Sequence, residues 1–347
     1  MTGRAVLAVR ADAGPRIGSG HLVRSSALGS AWAAAGGDVV FLTSAVAADY
    51  CADLAPGHRV IPLEGETRPL DVDLEATLGA LRDFGAAWVA LDGQQFDDGY
   101  HRGLRDAGHR VLVIDDVAHL PRYDADVLVN QNIDAGSLAY VTDEDCRRLL
   151  GPEYALLRPQ FTERAQSPRE PGTGPVRLLV TLGAADAEQL TLRVVEAVEP
   201  AGAPGLETTI VIGPANADAD EVASKLAAKP ALRIVRAPSD MAALMADADL
   251  AVSAAGSTCW ELAFMGVPCL LLVTGPDQAA NASGLDREGF AVNLGPASML
   301  RAEALASALT RLAGDAERRQ VMAERGRRLV DGRGCDRVVG VLKEDPA

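Results

Sequence analysis

The chain has no Cys-x-x-Cys pair, no block of lysine and arginine, and no apolar run near the ~18 residues needed to cross a bilayer. Its five cysteines (Cys51, Cys146, Cys259, Cys269 and Cys335) are odd in number and far apart. That excludes a disulfide framework and a cysteine zinc site, and reads as reduced thiols. The first residues lack the apolar centre of a secretion signal, so a soluble cytoplasmic protein with no membrane partner is expected. The formal net charge of −15, with no basic patch to offset it, excludes nucleic acid as the main partner. So acidic a chain must hold an anionic ligand with backbone N–H groups and helix ends rather than with basic side chains.

What is present is rhythm. The 347 residues, 48% of them apolar, suffice for two cores. Apolar β-type runs alternate with helical stretches. In the first half the strands are expected at Ala5–Val9, Asp38–Leu42, Trp88–Leu91, Arg110–Ile114 and Val127–Val129, with a helix from about Leu22 to Ala35 closed by Gly36-Gly37. In the second half they are expected at Val176–Leu182, Thr208–Ile212, Leu232–Val235, Leu250–Ser253, Cys269–Val273 and Ala291–Leu294. Ala165–Pro175, rich in proline, glycine and charge, reads as a linker. The pattern predicts an α/β protein of two Rossmann-like, doubly wound parallel-sheet domains, 1–165 and 175–347, with a cleft between them. The partly basic helical stretch Ala302–Val341 can pack on either. Ligands in such sheets lie beyond the carboxyl ends of the strands, where each motif below falls.

The most informative of these is Gly18-Ser19-Gly20-His21, with Arg24 three residues on. A glycine-rich loop follows a strand, opens a helix and places a histidine on its first turn. The helix end attracts an anion, and a histidine held neutral there can accept a proton. A dinucleotide cofactor is disfavoured, because the third glycine of that fingerprint is missing and Asp38 starts its strand instead of ending it. Gly256-Ser257-Thr258 opens a second helix and offers N–H and hydroxyl groups to a diphosphate, with Glu261 one turn in; Thr258-x-x-Glu261 is equally a capping box. Gly183 begins a turn after another strand, in which Asp186 reads better as a helix cap than as a ligand. Asp277, Gln278 and Asn281 can hydrogen-bond sugar hydroxyls, or serve as ordinary loop polarity. Asp115-Asp116 ends a strand, where carboxylates orient a histidine, bind hydroxyls or cap the next element; His119 nearby reads as structural. The D-x-D strings (Asp71/Asp73, Asp124/Asp126, Asp218/Asp220, Asp247/Asp249) precede strands or lie in loops, so no metal and no cofactor is assigned.

Taken together, these segments resemble one family, that of the hydrolase releasing UDP from a 2,4-diacetamido-2,4,6-trideoxy sugar in pseudaminic acid synthesis, together with the related spore-coat glycosyltransferases. The stretches that carry the likeness are Arg10–Gly29, Val111–Ala118, Val127–Asn132, Leu149–Phe161, Thr181–Asp186, Met241–Leu272 and the Gln278 loop. The resemblance implies a GT-B fold and a nucleotide-diphosphosugar substrate. It assigns His21 as the catalytic group, Gly256, Ser257, Thr258 and Gly183 to the diphosphate, Glu261 to ribose, Met241 to the flank of the base and Gln278 to the sugar. Gly18, Gly20, Arg24, Asp92, Gln94, Asp115, Asp277 and Asn281 complete the expected sugar and acceptor side. Where the family's hydrolase has Asp-His-Tyr, this chain has Asp92-Gly93-Gln94; Asp277 replaces a common asparagine, and Gly183-Ala184-Ala185-Asp186 a Gly-Gly-Ser-Asp turn. These changes lie on the sugar and acceptor side, and incline the reading toward a small acceptor other than water. The expected enzyme is an inverting, metal-independent glycosyltransferase that cleaves the anomeric C–O bond of a UDP-sugar, with hydrolysis as the alternative.

Overall fold

The computed structural model of the chain describes residues 4–14, 17–64, 69–164, 174–186, 189–198, 206–227, 229 and 232–344. Its contacts divide into two compact units, Met1–Pro159 with Gly332–Ala347, and Gln160–Asp331.

The first unit is built on strands β1 (Val6–Ala11), β2 (Asp38–Ser44), β3 (Arg59–Leu63), β4 (Trp88–Asp92), β5 (Arg110–Ile114), β6 (Val127–Asn130) and β7 (Arg147–Leu150). They form one sheet in the order β3-β2-β1-β4-β5-β6-β7, every pair parallel. The central strands are apolar on both faces because helices cover both. Leu7, Val9, Phe41, Ala90 and Ile114 pack with Trp32 of the Gly20–Ala34 helix on one side. Ala8, Leu42, Val89, Leu91 and Val113 pack with Tyr100, Leu104 and Tyr123 on the other.

The second unit carries β8 (Val176–Thr181), β9 (Leu206–Ile212), β10 (Leu232–Arg236), β11 (Leu250–Ala254), β12 (Cys269–Val273) and β13 (Ala291–Pro296). Their order is β10-β9-β8-β11-β12-β13, again all parallel. The expected α/β class and doubly wound sheets are therefore present in both units. β3 and β7, the two edges of the first sheet, are additional to the strands expected.

The division of the chain differs from the expected one at its tail. The linker reading, Ala165–Pro175, falls mainly on 165–173, outside the described residues. The last helix, Gly334–Glu344, belongs to the first unit although it follows the second in sequence. The reason is burial. Val338, Val339, Val341 and Leu342 fill the core around Trp32, Arg337 donates to the Glu153 carbonyl at 2.8 Å, and Lys343 meets the Ala35 carbonyl at the end of the Gly20–Ala34 helix. A cation there faces the negative end of the helix dipole.

The same rule explains the basic stretch of the second unit. The Ala316–Leu329 helix directs three of its arginines to the C-termini of its neighbours. Arg319 donates to the Leu312 and Ala313 carbonyls at 2.6 and 2.7 Å, closing the Ala302–Gly314 helix. Arg325 reaches the Glu288 carbonyl that follows the Ala279–Arg287 helix, and Arg327 lies over Gly266, which ends the Thr258–Met265 helix. All five cysteines are buried and unpaired, and burial pushes the Cys51 thiol up to about 12 and the Cys146 thiol up to about 11. No helix among the described residues is long and apolar enough to cross a membrane.

One buried group makes the first unit acid-sensitive. His101 is 1% exposed, stacks on Tyr123, and has no hydrogen-bond partner at either ring nitrogen. Burial lowers its pKa from 6.5 to about 4, against the pull of Asp124, Asp97 and Asp98. The folded state holds the neutral ring and the unfolded state takes up the proton first. Stability is thus complete above pH 6.5 and falls as pH drops toward 4, by up to about 3 kcal/mol for this residue. His101→Phe is expected to flatten that part of the curve, as read from urea midpoints at pH 7 and pH 5.

Candidate functional site

In both sheets the chain reverses its winding next to the first strand of the unit. In the first, β1 is flanked by β2 and β4, so the loops leaving β1 and β4 diverge and open a crevice at the carboxyl end. His21 enters it from the first turn of the Gly20–Ala34 helix, and Asp92 from the last residue of β4. The His21 Nδ1 and Asp92 Oδ1 atoms are 2.6 Å apart. The histidine side chain is 21% exposed and the carboxylate 0%. Arg24 Nε and Nη2 fork onto Asp92 at 2.7 Å each, and Ser25 Oγ donates to Asp92 Oδ2 at 2.9 Å. The opposite edge of the Arg24 guanidinium forks onto Asp116, at 2.7 and 2.8 Å.

This arrangement fixes a proton. A carboxylate only accepts, so His21 keeps its hydrogen on Nδ1 and leaves Nε2 as the basic atom. Burial disfavours the imidazolium, but the charge and hydrogen bond of Asp92 outweigh it; Arg24 opposes and Asp116 assists, and the His21 pKa lies above its ordinary 6.5. The expectation of a ring held neutral by the helix end is therefore corrected: the nearer carboxylate dominates. Asp92 itself, although buried, is held well below the usual carboxylate range by Arg24 and His21.

The neighbouring predicted residues divide. Gly18 has φ +71°, a conformation glycine adopts without strain, and it exchanges two backbone hydrogen bonds with Gly14 that tie off the loop. Gly20 is the first helical residue. Arg24 is buried between two carboxylates, which makes it part of the scaffold of the pair rather than a group facing a ligand. Asp115, expected on the sugar side, is 4% exposed and accepts from Val117 N, Ala118 N, His119 Nδ1, Tyr123 OH and Tyr140 OH. Its carboxylate is saturated within the core, and Asp116 is the one that joins the site. Gln94 is exposed, while the next residue, Gln95, donates to Asp12 at 3.4 Å. Asp12 also accepts from Ser44 N at 2.6 Å, so the carboxyl end of β2 and the loops after β1 and β4 share one carboxylate.

In the second unit the reversal lies between β8 and β11. Gly183 follows β8 with φ +91°, and Gly256, Ser257 and Thr258 follow β11, half-buried at the start of the Thr258–Met265 helix. Ser257 is the N-cap and makes no side-chain cap bond, so the capping-box reading of Thr258 and Glu261 does not apply. Glu261 is 8% exposed. The Gln278 amide nitrogen is 3.6 Å from where a Gly256 side chain would begin, and its oxygen accepts from Thr274 N and Oγ1 at 3.1 and 3.0 Å. The crevice thus joins the Gly256 and Gln278 loops. Asp277 is exposed beside it and Asn281 is buried one turn further on. Asp186 caps the next helix through Thr191 N at 3.0 Å, as expected. Met241 begins the Met241–Asp247 helix, capped by Asp240.

Residues 177–331, all within this unit, match the glycosyltransferase family 28 C-terminal domain. The crystal structure of MurG from Acinetobacter baumannii superposes on the chain with a TM-score of 0.69, over 98% of this chain and 100% of that one, at 18% identity. CalG4, the calicheamicin glycosyltransferase, gives 0.62 over 99% of each chain at 16% identity. The fold is GT-B. At these identities the likeness is one of fold. The spore coat polysaccharide biosynthesis protein SpsG of Bacillus subtilis is closer in sequence, 32% identical over 200 residues, 56% of this chain and 57% of that protein. The chain thus spans little more than half the length of this curated relative.

Within the GT-B frame three contributors were absent from the expected site. Ser25 and Asn132 complete the bonding of Asp92 and Asp116, the latter through Asn132 Nδ2 at 3.0 Å. Gly213, after β9, packs where any Cβ would strike the Gly183 and Ala184 carbonyls, which fixes the Gly183 turn from behind. Ser25 and Asn132 lie in the Arg10–Gly29 and Val127–Asn132 segments that carry the family resemblance, which is the signal that marks them; Gly213 has none.

Proposed function

We propose that this protein is a glycosyltransferase that takes the sugar from a nucleotide diphosphate, with His21 as the base that activates the acceptor. The observation that carries the proposal is the His21–Asp92 pair at a switch point: an imidazole with its tautomer fixed, its pKa raised and its Nε2 left as the basic atom is a general base for a hydroxyl or amine. The family 28 match over 177–331 supports a nucleotide-sugar donor for the second unit. There the Gly183 turn and the Gly256–Thr258 helix start supply N–H groups and a positive helix end to the diphosphate, which is a leaving group that needs charge stabilisation more than a proton. Glu261 and Met241 are assigned to the nucleoside, and Gln278, Asp277 and Asn281 to the sugar.

Attack by a base-activated acceptor in line with the departing diphosphate predicts inversion at the anomeric carbon. The reaction is read as metal-independent, supported by the ion pairs that engage one carboxylate in three of the four D-x-D strings: Asp73 with Arg10, Asp124 with Arg102 and Arg122, and Asp249 with Arg177. The test is a thermal-shift series with UDP, ADP, GDP and dTDP, followed by release of the nucleotide from its sugar with and without candidate acceptors, in EDTA. UDP at ~100 times its dissociation constant is expected to stabilise by about 2.7 kcal/mol, and the others by less. Release that depends on an acceptor supports transfer. An equal rate in its absence makes water the acceptor, and no stabilisation by any of the four nucleotides refutes the donor assignment.

A further inference from the structure

We propose that Asp116 is a positioning residue that acts on His21 through Arg24, keeping the base basic. This inference rests on the reading of His21 as the base.

The geometry is a chain of forks. Arg24 presents its Nε/Nη2 edge to Asp92 and its Nη1/Nη2 edge to Asp116, with the four distances between 2.7 and 2.8 Å. Asn132 pins Asp116 from behind at 3.0 Å. Arg24 Nη2 also lies 3.3 Å from His21 Nδ1, so a full positive charge stands against the ring that must accept a proton. The Arg24 side chain is 6% exposed and Asp116 15%. The groups facing His21 are thus Asp92 from β4, Arg24 from its own helix and Asp116 from the loop after β5.

Charge counting gives Asp116 its task. Asp92 and Arg24 alone cancel, and a protonated His21 would leave the cluster at +1. With Asp116 the cluster carries −1 when His21 is neutral and zero when it is protonated. In a buried setting the neutral outcome is favoured, so Asp116 restores the pull on the proton that Arg24 removes. Arg24 in turn ties Asp92 in the orientation that receives Nδ1–H. A carboxylate that never touches the acceptor thereby governs the pH at which the acceptor is activated.

The experiment is an NMR titration of the His21 imidazole in the full chain, with the signal assigned by its loss in His21→Gln, alongside the pH dependence of kcat/KM. Asp116→Asn is expected to lower the His21 pKa by about one pH unit, since a unit charge is lost at close range. Asp116→Glu is expected to restore most of the shift. Arg24→Gln combined with Asp116→Asn, which returns the cluster to −1, is expected to bring the titration back toward the wild-type value. Should Asp116→Asn not fold, Asp116→Ser removes the same charge. An unshifted His21 titration in a folded neutral variant overturns the proposal. If the ring titration moves but the kcat/KM profile does not follow it, Asp116 acts as described and the assignment of His21 as base is what fails.

Discussion

Replacement of His21 by alanine is expected to lower kcat by about 10²–10⁴, the usual contribution of a positioned general base, while affinity for the nucleoside diphosphate stays within twofold. Two features separate these readouts. The residues assigned to the nucleotide all lie in the second unit, whereas His21 lies in the first. Loss of the ring also leaves Asp92 with the Arg24 fork and the Ser25 hydroxyl, so the buried carboxylate remains compensated and the unit stays folded. In the wild type the rate should rise with pH through a value above 6.5, because the base must be neutral to act and its pKa is raised. Steady-state kinetics from pH 5.5 to 9 with unfolding melts of both proteins would check this. An alanine variant with wild-type kcat would remove His21 from the mechanism.

Asp92→Asn is expected to be as damaging to turnover and, unlike the first variant, to weaken the fold. The amide has one accepting oxygen where four donor contacts converge from His21, Arg24 and Ser25. If its NH2 faces His21, the ring must flip its tautomer and present Nε2 as a donor, which abolishes base function. If it faces Arg24, two donors meet in the core. Breaking a buried pair costs about 3–5 kcal/mol, and the low end applies because Arg24 keeps Asp116. The pH dependence carries a sign. The depressed Asp92 pKa gives stability that is present above the ordinary carboxylate range and is lost as pH falls. The asparagine variant should lose that acid-sensitive portion, so the difference between the two proteins is expected to shrink below pH 4. Melting curves at pH 7 and pH 3.5 read it directly.

Much of this was legible from residues alone. The central strands appear as apolar runs because helices cover both faces, and eleven of the thirteen strands among the described residues were expected within two residues at either end. The two that were not, β3 and β7, are edge strands. Arg59 is exposed and Ile61 only half-buried, and β7 opens on the exposed pair Arg147-Arg148, so neither shows the uninterrupted apolar signature. The glycine loops were visible because tight strand-to-helix turns demand glycine. Side-chain direction was not. Asp115 and Asp116 are neighbours whose carboxylates go to different partners, one to a tyrosine-lined core and the other to Arg24. Only the pleat and the loop after it decide which is which. Arg24 looked like a ligand for substrate, and its true partners lie 68 and 92 positions away.

The return of the Gly334–Glu344 helix to the first unit has a consequence for biosynthesis. The unit that carries His21 leaves the ribosome before the second unit, but the helix whose Val338, Val339, Val341 and Leu342 complete its core emerges only after the entire second unit has been made. Until then the apolar wall around Trp32 lacks that cover, and the unit that bears His21 completes its core only after the second unit, although most of it is translated before that unit.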